Sequence, residues 1–192
     1  MFTYHLLRPF SYWTIKFNRK ALLDWGYPFV AAALTAAVVF GLSRYQHVTI
    51  FGDSGLIAKL ISFVQNLPGF YIAALAAIAT FNRVDIDRAM PAPTPKINIQ
   101  LRGQTVAIEL TRRRFLCALL AFLTAESLLL ILSGILALVV APSVKAAIPA
   151  QAQPWIVVAS STIYLVFFWQ MLIVTFLGLF YLGDRIHQPD DQ

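Results

Sequence analysis

The chain has 192 residues, of which 59% are hydrophobic and 12% charged, and it carries a net charge of +6. A soluble domain is about 45–50% apolar and about 25% charged, so this composition leaves too little polar surface to cover a water-soluble globule. The apolar residues lie in long blocks and the basic excess lies between them, a pattern of membrane topology and headgroup attraction rather than nucleic-acid binding.

Residues 1–26 interleave aromatic and basic side chains: Phe2, Tyr4, Phe10, Tyr12, Trp13 and Phe17 beside Arg8, Lys16, Arg19 and Lys20. Rings favour the headgroup region and bases favour an anionic leaflet. The expectation is an interfacial segment lying on the bilayer, with a partner-docking arm as the alternative.

A membrane helix needs about 20 mainly apolar residues to cross about 30 Å of hydrocarbon. The first candidate covers 27–42, after Asp24-Trp25-Gly26, and is the shortest. Its preceding segment is much longer than a signal peptide's basic region, so it reads as an uncleaved anchor. The second covers 56–81, with Lys59, Ser62 and Gln65 on its first part and a kink expected near Pro68-Gly69. Residues 27–81 thus form a first transmembrane hairpin.

Small residues recur every fourth position in both spans: Ala33, Ala37 and Gly41 in the first, Gly69, Ala73 and Ala77 in the second. Such spacing lets a second helix approach closely. Packing of the two spans on one another is the first expectation, and oligomerisation the alternative.

Residues 82–114 form the most informative soluble segment. Asp85 and Asp87 stand beside Arg83 and Arg88, which suggests a local salt-bridged cap rather than a metal site. A proline-spaced stretch, Pro91-Ala92-Pro93-Thr94-Pro95, favours extended chain. Ile97, Ile99 and Leu101 then alternate with polar residues, Arg102-Gly103-Gln104 turns, and Val106, Ile108 and Leu110 alternate again. Period-two alternation around a glycine predicts a β-hairpin. An isolated hairpin is marginal in water, so these six apolar residues are the candidate docking face. The cover is the bilayer, the N-terminal segment, a second copy or a cytoplasmic protein.

Residues 115–182 hold a second transmembrane hairpin, with spans at 115–140, ended by Pro142, and 155–182, started after Pro154. A short tail, 183–192, follows. Within these spans Glu126 is the one acid or base expected deep in the hydrocarbon, and Gln170 stands at a matching depth on the antiparallel partner. A hydrogen bond from Glu126 across the bundle to Gln170, or to a nearby Ser or Thr, is the structural expectation. Intramembrane acids also mark ion and proton paths.

Twelve of the 15 Lys and Arg fall in the N-terminal segment, the 82–114 loop and the C-terminal tail. The positive-inside rule then puts both termini and the loop in the cytoplasm, in keeping with a bacterial inner membrane. Cys117 has no disulfide partner, and His5, His47 and His187 flank different segments. No nucleophile–base pair, metal-ligand spacing or phosphate-binding loop is present, so no catalysis, metal or cofactor is expected.

The fold class read from the sequence is an all-α integral membrane protein of four spans, with a small cytoplasmic β-hairpin and an interfacial N-terminal segment. The first functional expectation is a non-enzymatic membrane subunit that couples a cytoplasmic partner or self-assembly to the bilayer. It would act as an anchor, an assembly factor or a permeabilising effector of the toxin or antiviral type. A small ion, proton or solute transporter using Glu126 is the alternative, with a membrane-embedded enzyme ranked after it.

Overall fold

The computed structural model describes residues 7–16, 19–43, 48–80, 84–90, 94–101 and 104–183. They are mostly helical, in the order α1 (Tyr27–Leu42), α2 (Leu56–Val64), α3 (Leu67–Thr80), α4 (Val84–Asp87), β1 (Lys96–Leu101), β2 (Gln104–Glu109), α5 (Arg112–Ala147) and α6 (Gln153–Gly183). A 3-10 turn at Arg8–Thr14 and a π-helical turn at Leu22–Gly26 precede α1. Four helical stretches are long and apolar enough to cross a membrane: Leu22–Leu42, Leu56–Thr80, Arg112–Ala147 and Gln153–Gly183. By length and composition they mark the chain as a membrane protein.

Two of the expected boundaries move. Alone, the 16 residues of α1 rise about 24 Å at 1.5 Å per residue, short of the roughly 30 Å needed. The π-helical turn supplies the missing length and brings Asp24 into the span. In α5 the helix does not stop at Pro142 but runs through it to Ala147. Proline removes one donor, yet neighbouring intrahelical bonds hold a long apolar helix together on either side. Its 36 residues extend about 54 Å at 1.5 Å each. The second span breaks at Gln65–Asn66, and Pro68 falls in the first turn of α3, where no amide donor is required.

The chain folds as two compact units. One comprises Met1–Lys20, Gly69–Ala125 and Val174–Gln192. In it β1 and β2 pair antiparallel, with Ile97 opposite Ile108 and Ile99 opposite Val106. Lys16 bridges to Lys96 on the outer side of β1, and the Met90 amide donates to the Leu110 carbonyl at 3.0 Å. The N-terminal segment turns Tyr12 and Ile15 fully inward. Tyr12 stacks on Phe122 of α5 at 5.0 Å, and Lys20 sits over the Tyr12 ring at 4.4 Å. This segment therefore packs as part of the protein, with Leu7 and Trp13 left exposed. The Tyr71 and Thr175 hydroxyls are hydrogen-bonded at 2.7 Å, joining α3 to α6.

The other unit comprises Ala21–Pro68 and Glu126–Ile173. Ala32 and Ala36 of α1 pack with Leu165 and Val166 of α6, and Phe40, Leu60 and Trp169 close over them. α2 is amphipathic: Ile57, Ile61 and Val64 are buried at helical spacing, while Lys59 and Ser62 are exposed. Gly55 starts α2 because a Cβ there would fall 2.6 Å from the Ile50 carbonyl oxygen. The turn from α5 to α6 is tied by Gln153, whose amide donates to the carbonyls of Lys145 and Ile148 at 3.0 and 3.1 Å.

Candidate functional site

Most polar side chains in the apolar helices bond to their own backbone. Thr124 donates to the Leu120 carbonyl at 2.8 Å, and buried Ser161 to that of Val157 at 2.6 Å. Such groups satisfy themselves within one helix and need no partner elsewhere. Tyr164 instead reaches across from α6 to the Leu130 carbonyl of α5 at 3.3 Å. Trp169 donates its indole N–H to the Thr35 hydroxyl at 3.0 Å, and Thr35 donates in turn to Ala31.

Glu126 and Gln170 stand apart from this pattern. Both belong to the second unit, with 5% and 0% of their surface exposed. Neither carboxyl oxygen of Glu126, nor the amide oxygen or nitrogen of Gln170, has a hydrogen-bond partner among the described residues. The direct bond expected between them from sequence is therefore not made. Each unsatisfied buried group costs on the order of 1–3 kcal/mol. Leucine at either position would carry no such cost.

Asp24 is the residue that sequence reasoning missed. It is 3% exposed and lies in the π-helical turn. Asp24 stands near the start of the Leu22–Leu42 stretch, so Glu126 keeps its place as the acid well inside a span, while a second acid is buried within the protein. The signal lay in the shortness of the 27–42 block, which could reach both interfaces only by extending back through Asp24. Among the described residues of this unit, the buried polar side chains are Asp24, Glu126, Ser127, Ser161 and Gln170, and none is basic.

The expected small-residue seam does not pack within the chain. Ala33, Ala37, Gly41, Gly69 and Ala73 are exposed, Ala77 is half-buried, and a Cβ added at Gly41 or Gly69 would meet nothing within 4 Å. The inward face of α1 is one residue earlier, at Ala32 and Ala36. Close approach occurs instead at Gly134, where a Cβ would fall 2.8 Å from Ile61 Cδ1. A helix apolar on all sides gives sequence spacing no means of choosing the packed face.

Of the expected docking face, Val106 is 41% exposed, Ile108 half-buried and Leu110 fully buried. The side chains of Ile97, Ile99 and Leu101, and the turn at Arg102-Gly103, lie outside the described residues. So do Arg83, the Pro91-Ala92-Pro93 part of the spacer, His5, His47, His187 and the tail from residue 184.

No group of three or more His, Cys, Asp or Glu among the described residues is arranged to hold a metal ion. A separate, mainly apolar cavity of about 840 Å³ lies in the second unit, lined by Phe40, Ile50, Leu138, Val144 and Val157, with Lys145 also on its wall. No protein-family model matches the chain, and comparison with curated proteins and with solved structures found no similar one.

Proposed function

We propose that this protein is a multi-pass membrane protein that binds a proton or small cation at Glu126 and passes it across the bilayer. The observation that carries the reading is a pair of buried polar side chains, Glu126 and Gln170, with no hydrogen-bond partner among the described residues, in an apolar helical unit. An intramembrane acid is costly wherever it sits, and its ordinary uses are ion and proton paths. The charge asymmetry of the loops supports both termini and the 82–114 segment on the cytoplasmic side, with a bacterial inner membrane as the setting. No catalytic chemistry enters this reading.

The deciding measurement is proton and sodium flux in proteoliposomes, compared between wild type and Glu126→Gln at matched protein content. The amide keeps the size of the side chain and removes its titratable proton. Flux in wild type that disappears in Glu126→Gln supports the proposal, and equal flux in both rejects it.

A second reading keeps the protein as a non-enzymatic subunit or permeabilising effector, docked through the hairpin to a cytoplasmic protein or a second copy. One observation favours it: β2 is an edge strand among the described residues, and Val106 on it is exposed. Edge strands offer backbone donors and acceptors to another chain. Val106→Asp should then abolish co-purification of the partner while membrane insertion is retained. An unchanged complex size on a sizing column would reject this reading.

A further inference from the structure

The α5–α6 turn and the segment before α2 enclose the cavity of about 840 Å³ in the second unit. That volume falls within the range of small-molecule sites, about 300–1,000 Å³. Its walls are braced by backbone hydrogen bonds. The Leu56 and Ile57 amides donate to the Thr49 and Ile50 carbonyls at 3.1 and 3.2 Å, which ties the lining at 49–50 to the start of α2. On the α5–α6 side the Gln153 side chain holds the Lys145 and Ile148 carbonyls, and the Ala152 amide donates to the Pro149 carbonyl at 2.9 Å.

The chemistry of the cavity changes along its length. On α5 the lining runs from Ala137 to Lys145, a rise of about 12 Å at 1.5 Å per residue. On α6 it runs the opposite way, from Val158 back to Gln153. Apolar side chains therefore line the end nearer the middle of the spans. Lys145, the one charged residue among the described residues of the lining, stands where α5 ends. Trp155, 75% exposed, lies at the same end, and tryptophan there favours the headgroup level of a bilayer. Gln153 and Ser160 donate to backbone carbonyls, which leaves the Lys145 ammonium as the charge a ligand would meet.

An apolar sleeve with one cation at its headgroup end matches a lipid that carries an acyl chain below a negative head. A chain entering from the bilayer exchanges one apolar medium for another, so its retention comes from packing in the cavity rather than from loss of water contact. The ammonium then selects the head by charge. We propose that this cavity holds one anionic phospholipid of the surrounding leaflet, with an acyl chain among Leu138, Val144 and Val157 and the phosphate at Lys145. The lining does not include Glu126, and the site stands whether or not that acid moves an ion.

The test uses the full-length protein in vesicles of phosphatidylcholine and phosphatidylglycerol, in equal amounts and with the same acyl chains. After extraction in a mild detergent, the lipids that stay bound are counted and identified by native mass spectrometry. One phosphatidylglycerol per chain is expected, enriched about fivefold over phosphatidylcholine, the weight of one lysine near an anionic headgroup. Lys145→Gln, a change at an exposed position, should keep one bound lipid and remove the enrichment. Lys59→Gln, exposed on α2 and outside the lining, should change neither. Ala141→Trp, which fills the cavity, should abolish the bound lipid. If Ala141→Trp fails to insert, wild type given phosphatidylglycerol with a photoreactive group at the end of its chain serves instead, and cross-links should map to 137–144 and 156–158. No bound lipid in wild type, equal retention of the two lipids, or enrichment that survives Lys145→Gln would each overturn the proposal. So would a lipid retained undiminished by Ala141→Trp, or cross-links absent from those two stretches.

Discussion

Arg113 grips Asp87 through two parallel hydrogen bonds, Nε to Oδ1 at 2.6 Å and Nη2 to Oδ2 at 2.9 Å. Its remaining nitrogen, Nη1, donates to the carbonyls of Ile78 and Ala79 at 2.7 and 3.3 Å. One guanidinium thus fastens the start of α5 to α4 and satisfies terminal carbonyls of α3. Lysine cannot reproduce this planar fork.

The clamp gives the first prediction. Asp87→Asn and Arg113→Ala should speed limited proteolysis within 84–111, and Arg113→Lys should give an intermediate rate. Cleavage of Asp87→Asn at the wild-type rate would show that the clamp does not order the segment. The hydrogen bond from Arg113 also holds the Asp87 carboxyl below its ordinary value. A lowered carboxyl stabilises the folded state above the unfolded value, about 3.9. That contribution is lost as pH falls through the folded value. Amide-exchange protection of 84–90 should therefore be flat from neutral pH down to about 4 and fall only below it.

Trp169 and Thr35 supply the second. Thr35→Val keeps the shape and removes the acceptor for the indole N–H. Interhelical hydrogen bonds in membranes are worth about 0.6 kcal/mol on average, so a small drop in the melting temperature in detergent is expected. Thr35→Ser should restore it. A loss as large in Thr35→Ser as in Thr35→Val would assign the effect to packing of the methyl group.

Gly134 and Gly41 make a paired third prediction. A side chain at Gly134 runs into Ile61, so Gly134→Val should cost about 1–3 kcal/mol by overpacking. Ile61→Ala should recover part of that loss. Gly41→Val, facing open space, should leave thermal stability unchanged. If Gly41→Val instead reduces the size of the purified particle, the outward seam with Ala33 and Ala37 is an oligomer contact.

Topology gives the fourth. Reporter fusions at Met90 and after Gln192 should give cytoplasmic signals, and those near Asp53 and Gln151 signals from the opposite side. A cytoplasmic signal at Gln151 would remove α5 and α6 as a pair of spans.

The sequence by itself determined that the chain carries four apolar blocks, three of them of full membrane length and the first completed by the turn before it. Length and hydropathy are summed over many residues and survive local error, which is why the blocks were legible before any packing was known. It also pointed to Glu126 and Gln170, because a polar group amid leucines is conspicuous on any count.

Only the tertiary structure decided which faces meet. α1, α3, α5 and α6 have almost no amphipathic bias, so spacing could not separate Ala32 and Ala36, which are buried, from Ala33 and Ala37, which are not. Asp24 was hidden for a related reason. It looked like a boundary residue until the π-helical turn carried it into the folded protein. Local rules assign an acid before an apolar block to the interface, and only packing within the folded chain can bury it.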